Sequence, residues 1–304
     1  MKSTSGRTGR KVAFSTVAVA LGLAMSLGAI GQANAYTNQP STVDLGAASS
    51  FAVLGAETVT NTGPSTISGD VGLTAGTAIT GFPPGVITGP YGLHSNTTAA
   101  INAKADLLIA YGDAESRGSD EALLVPELGG LTLDQGVYSG GALQITGTLT
   151  LRGDENSIFI FQATSTLITD SASKVILEGN VSPCNVFWQI ASSTTLGTGS
   201  TLVGTVMAQQ SIAAQTGATV QGRLLALNGA VTLDNSTINP GACAGPAAEG
   251  GTKPILIDTP KLARTGTDLG LPIIAILTLL GGGVALLMMS GSKARRRRDG
   301  QLSE

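Results

Sequence analysis

A short repeat in the second half of the chain constrains the fold more than any other feature of the sequence. The segment STLVGTVMA begins at Ser200 and ATVQGRLLA begins at Ala218, so equivalent residues lie 18 positions apart. Upstream, FIFQA at Phe159 and VFWQI at Val186 form a second matched pair. A repeat of this length predicts stacked structural units, each of which contacts mainly its neighbours.

Each unit has three parts. The first part is a continuous apolar run, found at Phe51–Ala56, Phe159–Ala163, Val186–Ala191, Val206–Ala208 and Leu224–Leu227. The second is a threonine-containing alternation, as in ETVTN, LQITG, STLIT, TTLGT, SIAA and AVTLD, and the third is a short strand that ends near glycine, as in STISG, TLTLRG, KVILEG, STLVG and ATVQG. Three short strands per unit predict a coil of a β-solenoid with a triangular cross-section. A hairpin-based sandwich is disfavoured because Asn228 begins the one Asn-Gly turn signal within the repeats.

One stretch, SNTTAAINAKADLLIAYGDAESR, is typical of a helix. It begins with N-cap candidates at Ser95–Asn96, and Ile101, Ala105 and Leu108 share one stripe. The apolar first-part strands need cover on both sides. We therefore predict a helix of about Thr97–Arg117 that packs along the solenoid through this stripe, the alternative being a helix that projects away.

The first 35 residues predict a cleaved secretory signal peptide. A basic stretch ending at Lys11 precedes an apolar run from Val12 to about Ile30, and small residues follow at Ala33–Ala35. We expect the mature chain to begin near Tyr36, and an uncleaved membrane anchor is the alternative.

The C-terminal segment predicts a second membrane element. Residues Leu269–Ser290 are apolar and uncharged, and the stretch is long enough to span a bilayer. The basic run Lys293–Arg298 follows directly. A four-arginine run can indicate nucleic-acid binding, but its position behind a span favours a cytoplasmic stop-transfer signal.

The pentapeptide before this span resembles a sortase sorting signal. It consists of Leu262, Ala263, Arg264, Thr265 and Gly266, and it precedes the span and the basic tail (residues 267–304). The resemblance implies that a sortase cuts between Thr265 and Gly266 and joins Thr265 to the cell envelope. Ala263 departs from the usual Pro and resembles the variant of one sortase class of high-GC Gram-positive bacteria. The expected location is thus the cell wall of a Gram-positive bacterium, and a plain single-span membrane protein is the alternative.

Residues 36–245 have the length of one domain, and residues 246–261, rich in Gly and Pro, predict a spacer. Between residues 36 and 266 there are 8 basic and 17 acidic residues, a formal charge near −9. This charge argues against nucleic acid as a partner. In a secreted protein, the two cysteines predict a Cys184–Cys243 disulfide, with two free thiols as the alternative. We expect a monomer.

Segments in both halves of the chain resemble the bacterial and fungal ice-binding proteins. They are FAVLGAETVTNTG with STISGDVG near the start, and NVFWQIASSTTLGTGSTLVGTVMAQQSI with TGATVQGRLLALNGAVTLDNSTI near the end. The resemblance covers nearly all of residues 41–243. It implies a mostly β fold, a right-handed discontinuous β-solenoid with one long helix alongside, and ice adsorption of an extent that varies within the family.

The sequence lacks the residue groupings that are typical of catalytic sites. His94 is the sole histidine, no metal-ligand spacing or phosphate-binding loop occurs, and Asp154 and Glu155 are adjacent in a predicted turn. We interpret His94 as a loop residue or a helix-end partner. Four acidic residues near the helix end are weak calcium candidates: Asp113, Glu115, Asp120 and Glu121. We expect neither enzymatic activity, nor a cofactor, nor a metal.

The second part of each unit is the candidate functional surface. Alternate residues of a strand point outward, and the predicted outward pairs are Thr58 and Thr60, Gln144 and Thr146, Thr166 and Ile168, Thr195 and Gly197, Ser211 and Ala213, and Ala230 and Thr232. This surface is uncharged and mixes methyl with hydroxyl groups, so it predicts contact with ice or ordered water through many weak contacts. Interruptions at Gln144, Ile168 and Gly197 predict modest activity.

Two alternatives stay open for this surface. Thr and Val also suit pleated strands that have no binding role. The second functional hypothesis is a cell-wall adhesin or structural stalk that binds glycan or protein. A glycan binder needs exposed aromatic residues, for which the candidates are Tyr91, Tyr111 and Tyr138.

Overall fold

The computed structural model describes residues 41–123 and 126–252. The predicted signal peptide (residues 1–35), sorting motif (262–266) and C-terminal span (269–290) lie outside the described residues. Across the described ranges the chain forms one α-helix, α1 (Thr98–Ser116), three short 3-10 turns (Gly46–Ser50, Pro183–Asn185 and Gly241–Cys243) and a series of short strands.

The strands up to residue 122 are β1 (Phe51–Gly55), β2 (Thr58–Thr62), β3 (Thr66–Ile67), β4 (Asp70–Leu73), β5 (Ala78–Thr80), β6 (Val86–Ile87), β7 (Leu93–Ser95) and β8 (Glu121–Ala122). The later strands are β9 (Thr132–Leu133), β10 (Gly136–Gly140), β11 (Leu143–Ile145), β12 (Thr148–Gly153), β13 (Phe159–Ala163), β14 (Leu167–Thr169), β15 (Lys174–Gly179), β16 (Val186–Ile190), β17 (Thr194–Leu196), β18 (Thr201–Ala208), β19 (Ile212–Ala214), β20 (Thr219–Ala226), β21 (Val231–Asp234) and β22 (Thr237–Ile238).

These strands stack in parallel on three faces. Face 1 contains β8, β10, β13, β16, β18, β20, β1, β4 and β7 in that order. Face 2 contains β11, β14, β17, β19, β21, β2 and β5. Face 3 contains β9, β12, β15, the first halves of β18 and β20, then β22, β3 and β6. The predicted mostly β architecture with one long helix is confirmed.

Glycine turns the corner between faces 3 and 1. Gly204 has φ +107°, and a Cβ there would lie 2.5 Å from the Val186 carbonyl oxygen. A Cβ on Gly222 would lie 1.8 Å from the Gly204 carbonyl oxygen. The glycine of each 18-residue repeat is therefore required, since adjacent coils approach too closely for any side chain.

The order of coils in the stack is discontinuous along the chain. The coil of β20, β21 and β22 pairs on one side with β18 and β19, and on the other side with β1, β2 and β3. The N-terminal coil thus stacks directly on the C-terminal coil.

Inward side chains of the three faces fill a narrow core. Tyr138, Phe161 and Trp188 stack in register, with ring centroids 5.4 and 4.1 Å apart. The Trp188 indole N–H donates to the Val203 carbonyl oxygen at 2.9 Å. Stacking of identical positions in successive coils extends this core along the whole solenoid.

Helix α1 covers face 1 and has nearly the predicted bounds. Its N-cap is Thr97, whose hydroxyl accepts from the Ala100 N–H at 3.3 Å, and neither Ser95 nor Asn96 takes that role. At the other end, the Gln162 amide donates at 2.8 Å to the carbonyl oxygens of Ala114 and Arg117. A side chain of face 1 therefore satisfies carbonyl groups that the helix leaves unpaired.

The predicted packing stripe of the helix is wrong. Ile101 and Leu108 are 51% and 60% exposed. The buried side consists of Ala100, Ala103, Leu107, Ala110, Tyr111 and Ala114. Large side chains of face 1, such as Phe51 and Phe187, already fill the space beneath the helix, so alanines bring the helix close.

Lys104 also ties the helix to face 1. Its ammonium group donates to the carbonyl oxygens of Ala226 (3.2 Å) and Leu227 at the end of β20. Burial lowers the pKa of Lys104 to about 8.

The segment after the last coil packs against the solenoid. Cys184 and Cys243 form a disulfide bond with a Cα–Cα distance of 5.3 Å, as the sequence predicts. Thr252 forms an antiparallel bridge with Leu93 of β7, with both N–O distances 2.8 Å. The first residues of the predicted spacer, 246–252, therefore belong to the folded unit. In residues 41–123 and 126–252, no helix has the length and apolarity needed to cross a membrane.

Two neighbouring leucines test the observed side of the helix. Leu107→Ala removes a fully buried side chain and should lower the free energy of unfolding by about 2–5 kcal/mol. Leu108→Ala, on the exposed side, should change it by no more than about 0.5 kcal/mol. Denaturant titration of both variants measures the difference, and the reverse order would restore the stripe predicted from the sequence.

Candidate functional site

The residues that could support catalysis are not placed for it. His94 is fully buried, with its Nε2 3.3 Å from Asp70 Oδ1 and its Nδ1 3.2 Å from the Thr97 hydroxyl. It contacts the helix N-cap, as one of the two sequence interpretations proposed. Asp154 and Glu155 are exposed in a turn. Over the described part of the chain, no three His, Cys, Asp or Glu residues are grouped to hold a metal.

Face 2 instead presents outward residues in register across seven strands. Its central row consists of Gln144, Ile168, Thr195, Ala213, Thr232, Thr60 and Thr80. The inward residues on one side of this row are Leu143, Leu167, Thr194, Ile212, Val231, Val59 and Ile79. Strands in a sheet are about 4.8 Å apart, so the row repeats with that spacing along the stack.

Two further rows flank the central row. The first row precedes the inward residues and consists of Thr166, Ser193, Ser211, Ala230, Thr58 and Ala78. The third row follows the next inward position and consists of Thr146, Asp170, Gly197, Gln215, Asp234 and Thr62. The first row adjoins face 1, and the third row adjoins face 3.

The structure changes the predicted register of two strands by two residues. Gln144 and Thr195 belong to the central row, whereas the sequence pattern paired them with Thr58 and Thr166. Consequently Thr146 and Gly197 lie in the third row. In β17 the inward residue opposite Ile212 is Thr194. Because this residue is not aliphatic, the sequence pattern did not identify it as inward. The other predicted surface residues, Thr58, Thr60, Thr166, Ile168, Ser211, Ala213, Ala230 and Thr232, lie in the first and central rows.

Gly197 is buried and does not contribute a surface contact. A Cβ at this position would lie 2.5 Å from the Thr169 carbonyl oxygen. Its N–H donates to the Thr169 hydroxyl of the adjacent coil at 2.9 Å. In the first and central rows the sequence pattern missed Ser193, Ala78 and Thr80, and in the third row it missed Asp170, Gln215, Asp234 and Thr62. β5 was missed because it lacks the preceding apolar run.

The first and central rows leave hydroxyl groups available to solvent. Within the described residues, the hydroxyls of Thr58, Thr60, Thr195 and Thr232 make no hydrogen bond to the protein. By contrast, in the third row the Thr146 hydroxyl donates to Asp170 Oδ2 at 3.0 Å. The Thr146 hydroxyl is therefore held by a protein acceptor, whereas the four threonine hydroxyls of the first and central rows are not.

Face 3 carries a second threonine row that the sequence pattern did not assign. It consists of Thr148, Lys174, Thr201, Thr219, Thr237, Thr66 and Val86. Charged groups accompany this row, since Lys174 is exposed within it and the exposed Arg152 pairs with Asp134 at 3.0 Å. The third-part segments, such as STLVG and ATVQG, contain these threonines, but only the register aligns them.

The three tyrosines named as glycan-binding candidates do not form an exposed aromatic surface. Tyr111 and Tyr138 are each 5% exposed, whereas the sequence suggested that they were free. Tyr91 is half-buried and its hydroxyl donates to the Gly245 carbonyl oxygen at 3.4 Å. These tyrosines therefore serve packing within the fold.

Comparison with known proteins agrees with this architecture. Residues 53–239 match the model of the Ice-binding-like family. An ice-binding protein of Nostoc sp. (strain HG1) is 45% identical over 64% of this chain and 73% of its own length. One from Colwellia sp. is 35% identical over 70% of this chain and 89% of its own. The crystal structure of an ice-binding protein from the Antarctic ascomycete Antarctomyces psychrotrophicus aligns with a TM-score of 0.64 and 44% identity, over 66% of this chain and 99% of that one.

The three-faced parallel stack and these matches define the class of protein. The chain belongs to the Ice-binding-like family.

Two glycines test the register of face 2 at β17. Gly197→Ala should lower the free energy of unfolding by about 1–3 kcal/mol, because the added methyl meets backbone atoms of the neighbouring coil. The control is Gly112→Ala in the exposed part of α1, where no atom lies within 4 Å and the change should stabilise by about 0.5–1 kcal/mol. Thermal unfolding compares them, and a neutral Gly197→Ala would mean that Gly197 faces solvent.

Proposed function

We propose that this protein is secreted, is anchored to the cell envelope, and adsorbs to ice through the first and central rows of face 2. Its role is to restrain ice growth or recrystallisation near the cell, or to hold the cell to ice. The observation that carries the proposal is the pair of uncharged, in-register rows whose threonine hydroxyls have no partner among the described residues.

The chemistry of these rows suits ordered water. Hydroxyl and methyl groups alternate on a surface without charges, so no side chain holds a strong hydration shell of its own. Individual contacts with water are weak, but the stacked coils hold many of them in fixed relative positions. This preorganisation removes much of the ordering cost that adsorption to a crystal would otherwise carry.

The other two faces are less suited to this role. Face 1 is covered by α1, with Leu107 and Ala110 buried against it. On face 3 the threonine row is interrupted by Lys174, and Arg152 and Glu178 are exposed beside it. Charged groups bind water strongly. The charged side chains of face 3 therefore retain their own hydration water, which hinders contact with an ice lattice.

The relatives support ice as the ligand. The proteins from Nostoc and Colwellia are both named ice-binding proteins, and each is matched over most of its length. The described domain also matches 99% of the Antarctomyces chain, which indicates that such a domain folds without additional segments.

Three features of the sequence support envelope anchoring: the signal peptide at residues 1–35, the pentapeptide Leu262–Gly266 and the apolar span Leu269–Ser290. Their order is that of a sortase substrate. Processing would leave Thr265 joined to the envelope, 13 positions after Thr252, the last residue that the structure describes.

Ice activity is tested with residues 36–252. Ice recrystallisation inhibition and thermal hysteresis should both exceed those of an inert protein of the same size. Activity no higher than that of the inert protein would contradict ice adsorption and favour the adhesin or stalk hypothesis, which glycan and protein binding assays then address.

Two threonines of neighbouring coils test which face is active. Thr232→Tyr places a large ring in the central row of face 2 and should reduce thermal hysteresis severalfold, because the ring holds the surface away from the lattice. Thr219→Tyr makes the same change on face 3 and should leave the activity near that of the wild type. Both changes should alter the free energy of unfolding by no more than about 0.5 kcal/mol. The opposite pattern of activity would assign ice adsorption to face 3.

Anchoring is tested in a Gram-positive host that contains a sortase accepting this motif. Mass spectrometry of the wall fraction should find a C-terminal peptide that ends at Thr265 and carries an envelope fragment. Thr265→Ala should move the protein to the membrane fraction. Equal wall attachment of the two proteins would contradict the sorting signal.

A further inference from the structure

The last coil of the described residues is internal to the stack. Residues 222–239 pair through β20, β21 and β22 with the coil before them, and through the same strands with β1, β2 and β3. In a solenoid of continuous order the last coil would lie at an end. Here it lies between two others and contributes Thr232 to the centre of face 2.

This position makes the stack vulnerable to tension from the C-terminal side. A pull transmitted along the chain beyond Thr252 reaches β22 first and then β21. Detachment of these strands would separate β19 from β2 and divide face 2 in its middle. A protein anchored through its C-terminus and adsorbed to ice through face 2 carries this tension whenever the cell or the ice moves.

Two sets of contacts lie between the pull and the coil. The outer set holds the strap, which we define as residues 244–252. The Gly245 N–H donates to the Ser49 carbonyl oxygen at 2.9 Å, the Ala248 N–H donates to buried Asp70 Oδ2 at 2.6 Å, and Thr252 bridges Leu93. All of these are hydrogen bonds, and the strap forms a single two-residue bridge rather than a full strand.

The inner set holds Cys243 itself. Its sulfur is bonded to Cys184, which lies in the turn Pro183–Asn185 that leads into β16. β16 pairs with strands on both sides, so this attachment point lies inside the stack. The guanidinium of Arg223, 3% exposed, donates to the carbonyl oxygens of Cys243 and Ser49, and its burial lowers the Arg223 pKa to about 10.

We propose that the Cys184–Cys243 disulfide is the point where tension on the C-terminus enters the solenoid, so that the strap detaches while the stack stays closed. The inference rests on the proposed C-terminal anchoring. A covalent bond crosses the path of the pull before β22, and it joins residues 59 positions apart in the sequence. The pull is passed mainly to β16, which pairs with strands on both sides, and β22 and β21 carry a reduced share of it.

Single-molecule force spectroscopy tests this path without ice. Residues 36–252 are held through an azide-bearing amino acid in place of Lys174, which is exposed on face 3, and pulled by the C-terminus. In the oxidised protein the first event should release only the strap, about 30 Å of chain for nine residues. The stack should then resist to a much higher force.

The oxidised protein is compared with the double variant Cys184→Ser/Cys243→Ser and with the wild type in the presence of a reductant. Both should show strap release followed at low force by further steps of tens of ångströms as β22 and β21 detach. The matched control pulls the same proteins by the N-terminus, where tension enters through the turn Gly46–Ser50 and β1. Disulfide loss should change those traces little.

Two outcomes would overturn the proposal. One is an unchanged rupture force for the C-terminal pull after loss of the disulfide. The other is an equal reduction for both pulling directions, which would show that the bond only adds general stability. An ice-inactive protein that still shows the direction-dependent difference would contradict the proposed function and leave the tension path established.

Discussion

Parallel, in-register pairing between coils is the constraint on which the rest of this structure depends. A single coil of three short strands encloses too little apolar volume to be stable, and its backbone groups find partners only in the coils above and below. Register is therefore strict, because a slip of one residue would reverse every inward and outward side chain. The corner glycines follow from the same closeness, since Gly222 leaves no room for a Cβ against Gly204.

The same constraint places the faces of the solenoid in different environments. Face 1 is apolar on both sides and needs α1 as a cover, which uses alanines to approach side chains such as Phe51 and Phe187. Face 2 is wet on one side and presents equivalent positions at regular spacing. Such a stack offers a regularly repeating surface. A buried pair, His94 with Asp70, links the helix N-cap to the strap.

Sequence patterns predicted the features that depend on strong local signals. The apolar runs of face 1, the bounds of α1 and the disulfide agree with the structure. The side of the helix that packs was wrong because the contact depends on the shape of face 1, which favours Leu107 and alanines over Ile101 and Leu108. The register of β11 and β17 was wrong because Leu143 and Ile145 are both inward, and because Thr194 occupies an inward position. The register of a short strand is determined by its packing against the neighbouring coil more than by its own sequence.

The candidate surface depends on the joining of distant parts of the chain. Thr60 and Thr232 are neighbours in the central row although they come from opposite ends of the domain. Two of the seven positions of the row, Thr60 and Thr80, are therefore absent until the N-terminal coil docks on the C-terminal coil. This pairing has a large sequence separation and is costly in loop entropy. The Cys184–Cys243 bond lies beside this junction, and Arg223 joins Cys243 to Ser49 across it. The contacts that join the N-terminal coil to the C-terminal coil thus lie close to those that hold Cys243, where the chain leaves the stack. Both groups of contacts lie at the junction that completes face 2.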